Sequence, residues 1–494
     1  MLRGDRLATY YNYIGSKWVK SASGKTFTSY NPANGKTLGH FQRSNKQDVD
    51  AAIKSAAAAL PKWSSYPAPK RGEILLRFAQ LLRKEKERFG RLITTEMGKV
   101  LMEGLGDTQE AIDCAGYMAG EGRRLFGHTT PSELRNKFCM TIRRPIGVVG
   151  LICPWNFPIA IPAWKMMPAL VCGNTVILKP ATDTPLCAVE FVKLLEKAGV
   201  PPGVVNLVTG TGSEVGEPLI KDPRVRAISF TGSRSVGEFV VANAGIKKVG
   251  LELGGKNPLI IMEDADLELA VEGVIWGAFG TTGQRCTAAS RVIIHKKVKD
   301  EFLHMLLPKV RRLRLGDGLN KNTHVGPLIN QRAVEKTHKY IQIGINEGAK
   351  LECGGKIPKM NGSFYEPTVF SDVLPHMRIA TEEIFGPVLS VITVNSLDEA
   401  ITVANNVDYG LTSAIYTKDI RNAFIAIERI DAGLTYINSS TIGSEVHLPF
   451  GGVKHTGNGV REAGIHGIEE FSEVKTVYID YSNKLQMAQI DEIE

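Results

Sequence analysis

Gly147-Val148-Val149-Gly150-Leu151-Ile152 is an apolar run too short for a helix, and it ends in the turn Pro154-Trp155-Asn156-Phe157-Pro158. A run of that length bounded by turn residues reads as a strand buried on both faces. The pattern repeats outward from it. Helix-period stretches at 160–171, 186–198 and 236–244 alternate with short apolar runs at 175–178, 204–208, 225–230 and 249–253. Such alternation specifies a parallel sheet with helices on its faces. Ligands bind these sheets beyond the carboxyl ends of the strands, where Pro154, Lys179, Gly210 and Gly232 fall.

A second α/β stretch runs from 266 to 438, with strands expected near 291–295, 388–394, 412–416 and 433–437. It forms a separate domain, as 494 residues require, since one core rarely serves a chain of that length. Two further strand-like segments, 136–144 and 473–480, lie outside both blocks and would leave open edges without a partner.

The net charge of +9 is spread along the chain. Its densest runs, Lys296-Lys297-Val298-Lys299 and Arg311-Arg312-Leu313-Arg314, sit at or within expected helices as solvated faces, which argues against nucleic-acid binding. The surplus favours anionic substrates and a phosphate-bearing cofactor. No apolar run has the length of a signal peptide or a membrane span. The seven cysteines lack CxxC pairing and no His/Cys cluster has zinc spacing, so a reducing, cytoplasmic setting and no metal are expected.

Chemistry enters at Gly280-Thr281-Thr282-Gly283-Gln284-Arg285-Cys286-Thr287, a glycine-loosened turn between an expected helix and strand. Such a turn can offer a thiol to a ligand, although a lone cysteine is more often a small buried hydrophobe. Leu251-Glu252-Leu253-Gly254-Gly255 adds a strand that ends in a carboxylate followed by two glycines, a candidate base.

Together with Pro154-Trp155-Asn156-Phe157-Pro158, Lys179-Pro180-Ala181, Phe230-Thr231-Gly232-Ser233 and Glu383-Ile384-Phe385-Gly386-Pro387, these segments resemble the aldehyde dehydrogenase superfamily in order and spacing. The resemblance covers nearly the whole chain. It implies a Rossmann-like parallel-sheet cofactor domain (1–126 and 146–253), a second α/β catalytic domain (254–455) and a small bridging β element (127–145 and 470–494). The resemblance also implies that subunits pair through that element into a homodimer or homotetramer. The implied activity is NAD(P)-dependent oxidation of an aldehyde to the acid.

A trigonal aldehyde has no good hydride to give, so a thiolate must first form a tetrahedral adduct, and Cys286 is the candidate nucleophile. Glu252 is the base for the thiol and for the water that hydrolyses the resulting thioester. Asn156 and the backbone N–H of Cys286 are candidate donors to the oxyanion. Structural roles for each, an ion pair for Glu252 or a turn bond for Asn156, are the plainer alternatives.

A strict GxGxxG is absent, because Gly210-Thr211-Gly212-Ser213-Glu214-Val215-Gly216 is one residue too long. The resemblance implies a variant in which Phe230, Gly232 and Ser233 lead into a helix whose N-terminus attracts the pyrophosphate. It further implies that Lys179 bonds the adenosine ribose, that Glu383 bonds the nicotinamide ribose and that Phe385 backs the ring. Ile152, Pro154, Trp155, Gly212 and Leu253 complete the cofactor set. Thr182 stands where NAD-preferring members often carry a glutamate that repels a 2′-phosphate, so NADP, or dual use with NAD, is expected.

Arg285 at the tunnel entrance would pair with a distal carboxylate on the substrate, unless it points into packing or an ion pair. Glu110 lies in a run similar to the aminoadipate type, where a glutamate holds the amino end. Phe157, Ile161, Trp164, Thr287 and Phe450 are the other lining candidates. The expected substrate is therefore a carboxylate-bearing semialdehyde. A CoA-acylating dehydrogenase, a phosphate-independent glyceraldehyde-3-phosphate oxidiser and a silent protein of the same fold are the alternatives.

Overall fold

The run that opens the alternation forms strand Val148–Ile152, every residue of it buried. Val149 and Leu151 point into one apolar cluster, with helices Ala68–Lys84, Leu101–Glu121, Ala160–Val171 and Pro185–Ala198. Val148 and Ile152 point the other way, toward Lys46–Ser65 and Arg234–Ala244. The period-two alternation of a strand thus feeds two cores at once. The structure is a computed structural model and describes residues 7–490. The outermost parts of the expected spans, 1–6 and 491–494, lie outside the described residues.

Across the first sheet the order is Lys248–Glu252, Val225–Thr231, Val148–Ile152, Thr175–Lys179, Val205–Leu207, Asn12–Ile14 and Lys17–Val19. The first five strands are parallel; the last two form an antiparallel hairpin on the edge. The helix expected at 236–244 starts earlier, as Arg234–Ala244, so Ser233 itself is its N-cap residue.

The second sheet has seven strands, in the order Lys350–Cys353, Thr368–Ser371, Val388–Val394, Ala289–His295, Asn257–Ile261, Thr412–Tyr416 and Leu434–Ile437. Only the first pairing is antiparallel. Three of these strands, Lys350–Cys353, Thr368–Ser371 and Asn257–Ile261, were not in the sequence expectation. Asn257–Ile261 carries Pro258, which argues against a central strand because proline donates nothing to the ladder. The sheet accommodates it with a register shift between Asn257 and Pro258 opposite Ala289 and Arg291.

The two outlying segments find each other. Lys137–Pro145 pairs antiparallel with Ser472–Asp480 over the full nine residues, from Ser472 opposite Pro145 to Asp480 opposite Lys137, and Thr129–Thr130 adds a short third strand. Between the second sheet and this ribbon the chain returns to the first unit: Asn174 Nδ2 donates to the Phe471 carbonyl (2.8 Å), and helix Gly464–Glu470 packs on Ala160–Val171.

Candidate active site

The carboxyl ends of the first sheet meet the amino ends of the second. Glu252 closes strand Lys248–Glu252, and Cys286 precedes strand Ala289–His295. The loop bearing the thiol is tightly held. Thr281, Thr282 and Gly283 adopt φ of 51°, 58° and 69° in succession, a left-handed run that β-branched residues enter only under constraint. The constraint is visible: Thr281 N donates to Glu103 Oε1 (2.6 Å), Thr282 Oγ1 to the Gly326 carbonyl (3.0 Å), and Gln284 Oε1 accepts from Ile329 N (2.9 Å).

Asn257 anchors the other side of the loop. Its Nδ2 donates to the carbonyls of Cys286 (2.7 Å) and Ala288 (2.9 Å), while Oδ1 accepts from Thr412 N (3.0 Å). Gly255 lies so close that a Cβ there would stand 2.5 Å from the Cys286 carbonyl oxygen. The sequence reading missed both Asn257 and Glu103. Their signal is polar burial within strand Asn257–Ile261 and helix Leu101–Glu121, which a sequence pattern does not reveal.

The Cys286 thiol is half-buried and its pKa is pushed up to about 12, by burial first and then by the nearby charges of Glu252 and Glu383. The N–H groups of Thr287 and of Cys286 itself face the sulfur and act the other way. Glu252 is buried, and neither carboxylate oxygen has a hydrogen-bond partner among the described residues. Burial holds its pKa well above the usual carboxylate range, and the charge of Glu462 adds to this. Glu462 is ion-paired with the fully buried Lys165, which also donates to Ser229 Oγ (2.9 Å). Asn156, buried, spends one Nδ2 hydrogen on the Gln284 carbonyl (3.0 Å), leaving a second N–H beside the thiol loop.

A cleft of about 120 Å³ brings together Cys286, Glu252 and the expected substrate residues Glu110, Phe157, Trp164, Arg285, Thr287 and Phe450, with Ile161 beside them. Trp164 and Phe450 meet edge to face, with centroids 5.1 Å apart. The Arg285 guanidinium lies between Phe157 (5.3 Å) and Trp276 (4.9 Å). Its Nε donates to Thr281 Oγ1 (2.8 Å) and one Nη2 hydrogen reaches Glu103 (3.4 Å). Arg285 therefore both braces the loop and borders the cleft. Glu110 is half-buried, its pKa raised to about 8 by burial and then by the charge of Asp107.

The residues expected around a dinucleotide gather along the strand ends of the first sheet. The Lys179 ammonium is buried with no ion pair or hydrogen bond among the described residues, and burial lowers its pKa to about 8. Thr182 sits, part-exposed, on the loop after it, and Gly212 faces open space. Ser233 caps helix Arg234–Ala244 without a side-chain bond, so the N–H groups of its first turn stay free. A Cβ on Gly232 would strike the Phe230 ring at 2.5 Å. Ile152 ends its strand, Pro154 follows, and Leu253 donates its N–H to the Thr456 carbonyl (2.7 Å). Glu383 accepts from Gly255 N (3.0 Å), and a Cβ at Gly254 would lie 2.3 Å from that carboxylate and displace it. Trp155 and Phe385 stand edge to face at 5.5 Å. An unpaired buried cation, an uncapped helix N-terminus and free space at Gly212 fit a dinucleotide.

A thiol on a constrained loop and a buried carboxylate lining the same cleft stand beside strand ends with room for a dinucleotide, an arrangement that suits an oxidoreductase. Residues 18–477 match the aldehyde dehydrogenase family, and the chain belongs to that family. It is 42% identical to an alpha-ketoglutaric semialdehyde dehydrogenase of Bacillus subtilis, over 95% of this chain and 98% of the relative. It is 43% identical to a 2,5-dioxopentanoate dehydrogenase of Saccharolobus solfataricus, over 95% and 99%. Among solved structures, an NADP-dependent enzyme of E. coli superposes with a TM-score of 0.93 at 37% identity, covering 96% of this chain and 98% of the other. Betaine aldehyde dehydrogenase of Staphylococcus aureus in complex with NAD+ superposes with a TM-score of 0.95 at 34% identity, covering 99% and 97%. The protein is thus an NAD(P)-dependent aldehyde dehydrogenase by family. Among its described residues no helix is long and apolar enough to cross a membrane.

Proposed function

We propose that the protein oxidises a carboxylate-bearing semialdehyde to the dicarboxylic acid, with Cys286 as nucleophile, Glu252 as base and Asn156 as oxyanion donor. The observation that carries this reading is the single cleft in which Cys286, Glu252 and Arg285 meet. A thiol with a pKa near 12 is almost wholly protonated at neutral pH, so attack on the aldehyde carbon needs a proton acceptor. A carboxylate whose own pKa is raised is a stronger base than an ordinary one, which narrows the gap between donor and acceptor. The Cys286 sulfur bonds the carbonyl carbon, the thiol proton passes to Glu252, and the oxyanion takes the free Asn156 N–H and the Cys286 backbone N–H.

The nicotinamide of NAD or NADP, when bound, supplies the hydride acceptor. Lys179 and Glu383 would hold its two riboses, the first turn of Arg234–Ala244 its pyrophosphate, and Trp155 and Phe385 would wall the ring. Glu252 first gives the thiol proton to solvent; water then attacks the thioester carbon as its own proton passes to Glu252, and breaking the C–S bond releases the acid while that proton returns to the Cys286 sulfur. Thr182 places no carboxylate near the ribose, which supports NADP or dual use over strict NAD.

In this reading 1–126 and 146–253 bind the cofactor, 254–455 carry the catalysis, and 127–145 with 470–494 join subunits into a homodimer or homotetramer. The exposed Phe138, Val474, Tyr478 and Ile479 on the ribbon strands support that last assignment. All seven cysteines are unpaired, in keeping with cytoplasmic action. The test is NAD(P)H formation on a panel of uncharged aldehydes and ω-carboxy semialdehydes, including 2,5-dioxopentanoate, with each cofactor and with or without CoA. Preference for uncharged aldehydes overturns the substrate assignment, and a requirement for CoA overturns the hydrolytic step.

A further inference from the structure

Away from the thiol, where the ribbon strands leave the first unit, a solvent-open cleft of about 230 Å³ is lined by Arg71, Arg143, Arg144, Ser64, Ser65 and Ser472 among others. Among the described residues no carboxylate lines it. Arg71 is 5% exposed, yet its protein partners are all neutral carbonyls: Nε donates to Val171 (2.8 Å), and Nη1 to Ser64 (3.3 Å) and Tyr66. Its Nη2 has no protein partner among the described residues. Arg143 donates to the Phe126 carbonyl (3.3 Å) and to Ser472 Oγ (3.0 Å), and forms a long ion pair with the half-exposed Glu469 (3.8 Å). Arg144 is exposed and makes no ion pair with the described residues.

Three arginines line this one cavity, and a buried guanidinium without a counter-ion keeps the cost of its desolvation. Burial accordingly lowers the pKa of Arg71. Forked N–H donors match tetrahedral and planar oxyanions, and the space is several times the ~30 Å³ that one water occupies in the liquid. We propose that this cleft is an oxyanion site for a phosphate-class dianion, separate from the dinucleotide and aldehyde sites. The ligand bridges Arg71 of the helical layer and Arg143 and Arg144 of the ribbon. It thereby ties the ribbon to the unit that carries Glu252.

The test is equilibrium dialysis of the full chain with radiolabelled inorganic phosphate at constant ionic strength, with NAD+ saturating the dinucleotide site. The expected result is one saturable site per chain that sulfate competes for and chloride does not. A phosphate monoester in a parallel arm shows whether free phosphate or an esterified phosphate is preferred. Arg144→Glu, on an exposed side chain whose loss does not threaten folding, should weaken binding about ten- to a hundredfold, the range of one charge-assisted bond. Arg71→Lys, which keeps the charge and loses the fork, should also weaken it. In both variants kcat and the cofactor KM should remain near wild type. Absence of saturable binding, or equal binding by wild type and Arg144→Glu, overturns the proposal.

Discussion

Arg285→Ala should cost a four- to six-carbon ω-carboxy semialdehyde more than an uncharged aldehyde of the same length. Of the five guanidinium N–H groups, one is taken by Thr281 and one by Glu103, so three remain for the cleft. The side chain is only 12% exposed, so solvent screens a charge pair there weakly. A charge-assisted hydrogen bond is worth about 1.5–3 kcal/mol, or about ten- to a hundredfold in kcat/KM. A second effect acts on both substrates. Removing the guanidinium takes a partner from Thr281 and leaves the buried Glu103 with Thr281 N alone, so the thiol loop loosens whatever the substrate carries. The informative quantity is therefore the ratio of kcat/KM for the two aldehydes, measured by NAD(P)H absorbance in wild type and variant. The ratio should fall about ten- to a hundredfold, and Arg285→Lys should lie between. An unchanged ratio, with both substrates losing equally, would show that Arg285 serves only the loop and would refute recognition of the distal carboxylate.

Cys286→Ala should abolish turnover while cofactor binding, followed by fluorescence, persists; Glu252→Gln should leave a burst of NAD(P)H after steady-state turnover has collapsed, and full activity in either variant ends the assignment. Because the Glu252 pKa is raised, its base form appears only as pH climbs past that raised value, so wild-type kcat should fall on the acid side and the residual rate of Glu252→Gln should lack that limb. Thr182→Glu should shift the ratio of kcat/KM toward NAD by weakening NADP, and an unchanged ratio would show the pocket is misread. Glu110, with its pKa near 8, binds its proton more tightly folded than unfolded, so its stability cost is absent below about pH 4.5 and complete above about pH 8. Unfolding midpoints of Glu110→Gln should accordingly gain on wild type between pH 5 and 8, and a constant difference across that range would contradict this.

The first sheet was legible because its strands are separated by helices of clear period and end in turn residues, which fixes both the fold and the edge at which ligands bind. The second sheet was less so. Asn257–Ile261 follows Glu252 after four residues with no helix between them and includes a proline, so nothing in the sequence marks the crossing from one sheet to the other. In the site, Cys286 and Glu252 stood out because glycines loosen the backbone around them. Glu103, Lys165, Asn257 and Glu462 did not, because a buried polar residue resembles a solvated one until its distant partner is known: Lys165 and Glu462 are brought together across 297 residues of chain.

The pairing of Lys137–Pro145 with Ser472–Asp480 sets a timetable for synthesis. At about 5–20 residues per second, the earlier strand leaves the ribosome roughly 15 to 65 seconds before its mate exists. Throughout that interval one side of Lys137–Pro145 presents unpaired amides and carbonyls, which invite pairing with other nascent chains on the same message. Arg143 and Arg144, near the end of that strand, and Lys137 at its start place positive charge along the waiting edge, where it repels a second copy of itself.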